Sequence, residues 1–182
     1  MTIYTKKGDD GTTGLFFGGR VAKDAERPTA YGEVDEAQAF LGVVRAEAGP
    51  DLAEIVLGIQ RDLWVVMAEL ATGVENAGKL VDGQTRPTEA MVDALTERID
   101  EISDRFEPPT EFVVPGETLV AAHLDVARTV VRRAERAAVT ALADQPSWVV
   151  PYLNRLSDLL WTLARWQEGD SLTTKSLPEG SR

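Results

Sequence analysis

The chain has no cysteine and a single histidine, His123, in 182 residues. Disulfides, thiolate metal sites and cysteine nucleophiles are therefore excluded, and a Ser/His/Asp triad or multi-histidine metal centre lacks its parts. Positive charge is also scarce. There are 19 Lys and Arg against 30 Asp and Glu, a formal net charge of -11. A general nucleic-acid or anionic-membrane binder needs a broad basic footprint, so neither partner is expected and any bound anion must be met locally. Long apolar runs are missing too. No stretch approaches the roughly 18 residues of a membrane span, and MTIYTKKGDD has no apolar signal-peptide core, which predicts a cytoplasmic protein.

What is present suffices for one core. A hydrophobic share of 43% predicts a single domain over 1–182, divided into an N-terminal loop (1–28), a helical body (29–169) and a flexible tail (170–182). The scarce cations are concentrated in AHLDVARTVVRRAER, residues 122–136, where Val126 to Arg136 carries four Arg against one Glu. At 3.6 residues per turn Arg128, Arg132, Glu135 and Arg136 share one face, and Ala127, Val130, Ala134, Ala137 and Ala138 the other. Like charges four apart cost a few tenths of a kcal/mol per pair in an isolated helix. Asp125 and Glu135 relieve part of that locally, and the rest calls for an anionic ligand or acids on another element. The alternative is a solvated face laced with its own ion pairs.

Residues 2–5 are β-prone, and GDDGTTG after them is too rich in glycine for helix or strand interior. Gly8, Gly11 and Gly14 let successive N–H groups converge, Thr5, Thr12 and Thr13 add hydroxyls, and Lys6, Lys7 and Lys23 add charge, which together meet the requirement for cradling phosphates. No Walker A or EF-hand spacing is present. An ordinary glycine-rich surface turn is the competing reading.

Five helices follow from period and punctuation. The first spans 29–47 on the stripe Ala30, Val34, Ala37, Leu41 and Val44, with Asp35 off it. The second spans 51–72, with Trp64 beside its stripe as core or interface. Residues 73–87 read as an exposed, disordered loop. The third helix spans 88–106 and is stopped by Pro108-Pro109. Phe112 then stands in a proline-bounded loop, either as a functional aromatic or as a plug for the bundle end. The fourth spans 118–143, broken by Asp144-Gln145-Pro146, and the fifth spans 149–167, with Ser147 as its cap. On that last helix Asn154, Asp158, Trp161 and Arg165 form a stripe whose polar members need partners. No strand is expected beyond residues 2–5, so the fold class is an all-α five-helix bundle.

Three separated segments, TKKGDDGTTGLFFGGRVAK (5–23), FVVPG with ARTVVRRAER (112–136) and YLNRLSDLLWTLAR (152–165), together with AYGEVDEAQAFLG (30–42), resemble the PduO-type ATP:cob(I)alamin adenosyltransferases over nearly the whole chain. That resemblance implies a ferritin-like five-helix bundle with a glycine-rich N-terminal loop, assembled as a homotrimer with sites between subunits. It implies transfer of the 5'-deoxyadenosyl group of ATP to cob(I)alamin, giving adenosylcobalamin and triphosphate, with magnesium held largely by phosphate oxygens rather than by protein ligands. A flavin-dependent reductase supplying Co(I) and an adenosylcobalamin-dependent enzyme receiving the product are the implied partners.

Carried over by position, the resemblance assigns Thr5, Lys6, Lys7, Gly8, Thr13 and Lys23 to the polyphosphate, joined by Arg132, Arg133, Glu135, Arg136 and Asn154. It assigns Asp35 and Arg128 to a pair bridging subunits beside the corrinoid, and Phe112 to keeping the lower axial ligand off cobalt. Asp35, Phe112, Arg128 and Arg132 are the residues expected at the chemistry itself. Two positions depart from the pattern: Asp125 stands where the family usually has His, and Glu117 where it usually has a second Gly. Asp125 lies one turn from Arg128 and competes with Asp35 for it. An ATP-dependent phosphotransferase and a non-catalytic corrinoid carrier are the alternatives. The first needs a base for its acceptor, and no candidate stands out.

Overall fold

A computed structural model describes residues 4–143 and 145–176. Residues 2 and 3 of the β-prone start, Asp144 and residues 177–182 of the tail lie outside the described residues. Five α-helices make up the body: α1 (Glu26–Glu47), α2 (Pro50–Leu70), α3 (Glu89–Ser103), α4 (Leu119–Ala141) and α5 (Val149–Glu168). The all-α bundle is therefore as the periodicities predict. The stripe on α1 is buried throughout, Ala30, Val34, Ala37, Leu41 and Val44 having no exposed surface. Only Ala48 and Gly49 separate α1 from α2, and so short a connection makes the two antiparallel neighbours.

The most extensive helix pair is α1 with α4, followed by α4 with α5. Small residues allow that closeness, since α4 turns Ala127, Ala134 and Ala138 inward opposite Ala30 and Ala37 of α1. Contacts fix direction: Arg133 reaches Glu33 and Glu36 near the start of α1, while His123 Nδ1 meets Glu47 Oε2 at its end (3.1 Å). These helices therefore run antiparallel. In the same way Asn154 meets Glu135 and Arg165 meets Asp125, which sets α5 antiparallel to α4. Helix α5 also packs on α3. Its burial is therefore not confined to one face: Tyr152 and Leu159 are enclosed as fully as Leu153, Leu156, Leu160 and Leu163. Tyr152 Oη donates to Asp62 Oδ2 of α2 at 3.0 Å.

Several boundaries differ from expectation for physical reasons. Helix α1 begins at Glu26, three residues early, because Arg27 is fastened by donating to Leu70 O (3.1 Å) and Gln145 Oε1 (2.9 Å). Helix α3 ends at Ser103, well before the prolines. Thr118 caps α4 by accepting from Ala121 N at 3.1 Å, and Ser147 Oγ accepts from Val149 N at 3.0 Å at the start of α5. Gly169 ends α5 at φ 71, a left-handed turn that glycine makes without strain.

Three expectations are overturned. A hairpin exists where no strand is predicted: β1 (Thr12–Gly14) pairs antiparallel with β2 (Arg20–Ala22), in register Thr13 with Val21. Its tip turns at Phe17, Gly18 and Gly19, all at positive φ, and Phe16 N donates to Ala71 O at 2.8 Å, pinning the hairpin to the end of α2. Residues 73–87 are ordered rather than disordered. They form a 3-10 helix (Val74–Lys79) and a turn in which Arg86 Nη2 donates to Ala77 O (2.6 Å) and Thr85 Oγ1 accepts from Val81 N (2.8 Å). The tail also does not fray as far as residue 176, because residues 172–174 pair with 112–114. Among the described residues no helix is long and apolar enough to cross a membrane.

Candidate functional site

The N-terminal loop is organised by its own side chains. Asp10 Oδ1 accepts from Thr12 N (2.9 Å) and Thr12 Oγ1 (2.8 Å), and those bonds, the hydroxyl's first, hold its carboxyl below the ordinary value, helped by nearby Arg20. Arg20 crosses the hairpin to donate through Nη2 to Lys7 O and Thr12 Oγ1, both at 2.5 Å. Lys23 N bonds Gly11 O at 2.9 Å, which brings Lys23 against Gly8. A Cβ on Gly8 would stand 3.2 Å from Lys23 Nζ and 3.1 Å from Thr12 O, so a side chain there would displace the ammonium. Lys6 adopts φ 58, a conformation that costs a non-glycine residue energy and persists only where its surroundings impose it.

Two of the backbone N–H groups expected to converge are already paired. Gly11 N donates to Gly8 O and Thr12 N to the Asp10 carboxylate, so these two donors are used inside the loop. What the loop presents instead is ammonium charge. Lys6, Lys7 and Lys23 are exposed, as is Thr5, while Thr13 is half-buried in β1. Arg20 was not singled out in the sequence, although it lies inside the 5–23 motif. Its role depends on a hairpin that three-residue strands do not announce.

The cationic face of α4 divides into two parts. Asp125, only 5% exposed, accepts from Arg128 Nε at 3.0 Å through one oxygen and from Arg165 Nη2 at 2.5 Å through the other. Arg165 is 1% exposed, also donates to Glu168 Oε1 (3.0 Å), and lies over the Trp161 ring at 5.7 Å. Toward the other end Arg133 is clamped by Glu33 and Glu36 of α1, whose hydrogen bonds, Glu33's first, raise its pKa further above the ordinary arginine value. Arg136 folds back onto Arg132 O (2.9 Å), and Glu135 accepts from Asn154 Nδ2 (3.2 Å). Among the described residues neither Arg132 nor Arg136 has a carboxylate partner.

The like-charge strain read from the sequence is thus half relieved within the fold. Asp35 is exposed on α1 beside Glu36, and among the described residues it makes no hydrogen bond or ion pair with Arg128. Arg128 is held by Asp125 of its own helix instead. Phe112 is 85% exposed, so it plugs nothing in this chain. Trp64 is likewise exposed rather than in the core. Both large rings lie open to solvent.

The hairpin and the Arg132–Arg136 segment lie at the same end of the bundle, yet among the described residues no hydrogen bond or ion pair joins them. Two clefts lie elsewhere. One of about 660 Å³ lies by Asp62 and Leu95, and one of about 740 Å³ by Glu69 and Trp148. Neither of these two clefts joins the two cationic surfaces.

The chain is similar to known proteins along most of its length. The family model described as cobalamin adenosyltransferase matches residues 3–167. A corrinoid adenosyltransferase of Mycobacterium leprae is 41% identical over 170 residues, 90% of this chain and 89% of the relative. The corrinoid adenosyltransferase PduO of Salmonella typhimurium is 37% identical over 185 residues, all of this chain and 54% of that protein. Among solved structures, a variant PduO-type ATP:corrinoid adenosyltransferase from Lactobacillus reuteri, complexed with cobalamin and ATP, superposes with a TM-score of 0.85 at 29% identity, covering 96% of this chain and 99% of that one.

Proposed function

The chain belongs to the cobalamin adenosyltransferase family, and from that premise we propose how its residues divide the work. The enzyme transfers the 5'-deoxyadenosyl group of ATP to the cobalt of cob(I)alamin, forming a Co–C5' bond, breaking C5'–O and releasing triphosphate. The observation that carries the residue assignment is the pair Arg132 and Arg136, cations without carboxylate partners among the described residues of an acidic protein. They face the polyphosphate together with Lys6, Lys7 and Lys23 of the N-terminal loop. Thr5, Gly8 and Thr13 shape that loop, Arg133 ties α4 to α1, and Glu135 and Asn154 tie α4 to α5.

Co(I) is itself the nucleophile, so no protein base is needed, in keeping with a site without usable Cys or His. What the reaction requires is a stabilised leaving group. Preorganised donors at a departing anion are worth roughly 3 to 4 kcal/mol each by analogy with oxyanion holes. Magnesium would accompany ATP, held largely by phosphate oxygens, and would neutralise part of the leaving group's charge; among the described residues no group of three or more His, Asp or Glu is placed to hold it.

The separation of the two cationic surfaces within one chain supports a homotrimer in which the hairpin of one subunit closes on α4 of the next. In that assembly Asp35 of one subunit reaches Arg128 of its neighbour beside the corrinoid. Phe112 covers the lower face of the corrinoid and excludes both the axial ligand and water, which lowers the orbital that must accept an electron when Co(II) is reduced. A flavin-dependent reductase supplies that electron and an adenosylcobalamin-dependent enzyme takes the product.

The test is anaerobic incubation with ATP, magnesium and chemically reduced cobalamin. Adenosylcobalamin and triphosphate appear in equal amounts. Formation of ADP would instead make the protein a phosphotransferase, and no turnover would make it a carrier.

A further inference from the structure

At the bundle end away from the hairpin, two segments remote in sequence meet. Beyond Gly169 the chain reverses, and residues 172–174 run antiparallel to 112–114. Val114 N donates to Leu172 O (2.8 Å) and Thr174 N to Phe112 O (2.9 Å), while Lys175 Nζ meets Glu111 Oε1 at 2.6 Å. With its ring 85% exposed, Phe112 gains little orientation from packing. Its backbone is fixed by the tail.

A two-stranded ribbon this short is marginal alone, so its anchorage matters. Ser171 Oγ donates to Glu168 Oε2 at 2.7 Å, and Glu168 Oε1 accepts from Arg165 Nη2 at 3.0 Å. Arg165 in turn donates to Asp125 Oδ2, and Asp125 Oδ1 accepts from Arg128 Nε. The side chains of Arg165, Glu168 and Asp125 are almost wholly enclosed. Charge-assisted bonds in such surroundings are strong and geometrically demanding. One polar chain therefore runs from Arg128, through three buried ionic groups and one hydroxyl, to the strand that holds Phe112.

We propose that Glu168 and Ser171 are positioning residues, which fasten the 171–175 strap so that the Phe112 loop and Arg128 are held in one fixed relation beside the corrinoid. The proposal rests on the adenosyltransferase reading for what Phe112 meets, but not for the strap itself. Asp125 fits this role because an aspartate, unlike the family's usual histidine, accepts from two guanidinium groups at once.

The experiment compares wild type with Ser171→Ala, Ser171→Thr and Thr174→Pro. The first removes the anchor, the second keeps the hydroxyl, and the third deletes the N–H that bonds Phe112 O without touching the buried cluster. In ligand-free protein, amide exchange at Val114 rises about tenfold in Ser171→Ala and Thr174→Pro. In the ATP complex with cob(II)alamin the four-coordinate spectrum of both falls by about half or more, because the loop samples other positions. The KM for ATP stays within about twofold, since no phosphate contact changes. Ser171→Thr matches wild type in all three. Unchanged Val114 exchange, or a wild-type four-coordinate fraction in both disruptive variants, overturns the proposal, as does a loss that moves the ATP KM equally. If wild type made no adenosylcobalamin the functional reading would fall, and Val114 exchange alone would still decide whether the strap is anchored through Ser171.

Discussion

The two halves of α4 carry the same side chain in opposite circumstances. Arg128, near the middle, shares Asp125 with the buried Arg165, whereas Arg132 and Arg136, one and two turns on, face solvent with no carboxylate partner among the described residues. A guanidinium enclosed by its own chain must bring its acids with it, because an unpaired buried charge costs several kcal/mol. An exposed one has no such need and is available to an anion from outside. Arg133 lies between these cases, exposed but clamped by Glu33 and Glu36. Arginines paired within the fold and arginines proposed to meet a ligand thus differ in where their counter-charge comes from.

The harshest way to break that contrast is Asp125→Ala, which leaves Arg165 enclosed with only Glu168. Loss of one partner of a buried pair should cost about 3 to 5 kcal/mol of stability, read from urea unfolding. A loss below about 1 kcal/mol, the range of surface pairs, would show that water replaces the carboxylate freely. Arg132→Ala should do the reverse. Unfolding stays as in wild type, while kcat/KM with ATP falls by an amount equivalent to about 1.5 to 3 kcal/mol, the worth of a charged hydrogen bond. Wild-type turnover in that variant removes Arg132 from the site.

A pH titration sharpens the contrast between buried and exposed charge. Burial pushes the carboxyls of Glu69 and Asp62 above their ordinary values, only partly offset by hydrogen bonds from Ser147 and Tyr152 respectively. The folded state therefore binds these protons more tightly than the unfolded chain, and their contribution to stability is fully present below the unfolded pKa and lost as pH rises through the folded one. For Glu69 that loss begins near its ordinary value of 4.5. Glu69→Gln, which cannot titrate, should flatten the fall in unfolding free energy above that pH. An unaltered slope would mean that Glu69 ionises as readily folded as unfolded.

The smallest expected effect concerns Arg128, which Asp125 holds within the chain and Asp35 is proposed to reach from the next subunit. A double-mutant cycle of Asp35→Ala and Arg128→Ala, read in corrinoid affinity, should show coupling above the ~0.5 kcal/mol of independent sites. Strict additivity would leave Arg128 to Asp125 alone.

Much of the bundle was legible in the chain, and the failures share a cause. The α1 stripe from Ala30 to Val44 and the punctuation at Gly49-Pro50 and Gly169 are local signals, each contained within a few turns. The hairpin was missed because its strands are three residues long and it is held by Phe16 N reaching Ala71 O. Order in 73–87 was missed for a similar reason, since Arg86 and Thr85 satisfy backbone groups that a polar composition leaves unassigned. In the site, Lys6, Lys7, Lys23 and the arginine face were visible as charge, but which arginines were already paired was not.

By itself the sequence determined the helices, the core faces, the family and where the scarce cations concentrate, because periodicity, turn chemistry and motif order are properties of neighbouring residues. Tertiary structure alone decided that Asp125 serves Arg165 as well as Arg128, that Arg133 pairs with carboxylates of α1, and that the tail holds the Phe112 loop. These pairings join residues some 40 to 100 positions apart. Their energies depend on burial and distance, neither of which is written in the spacing of residues along the chain.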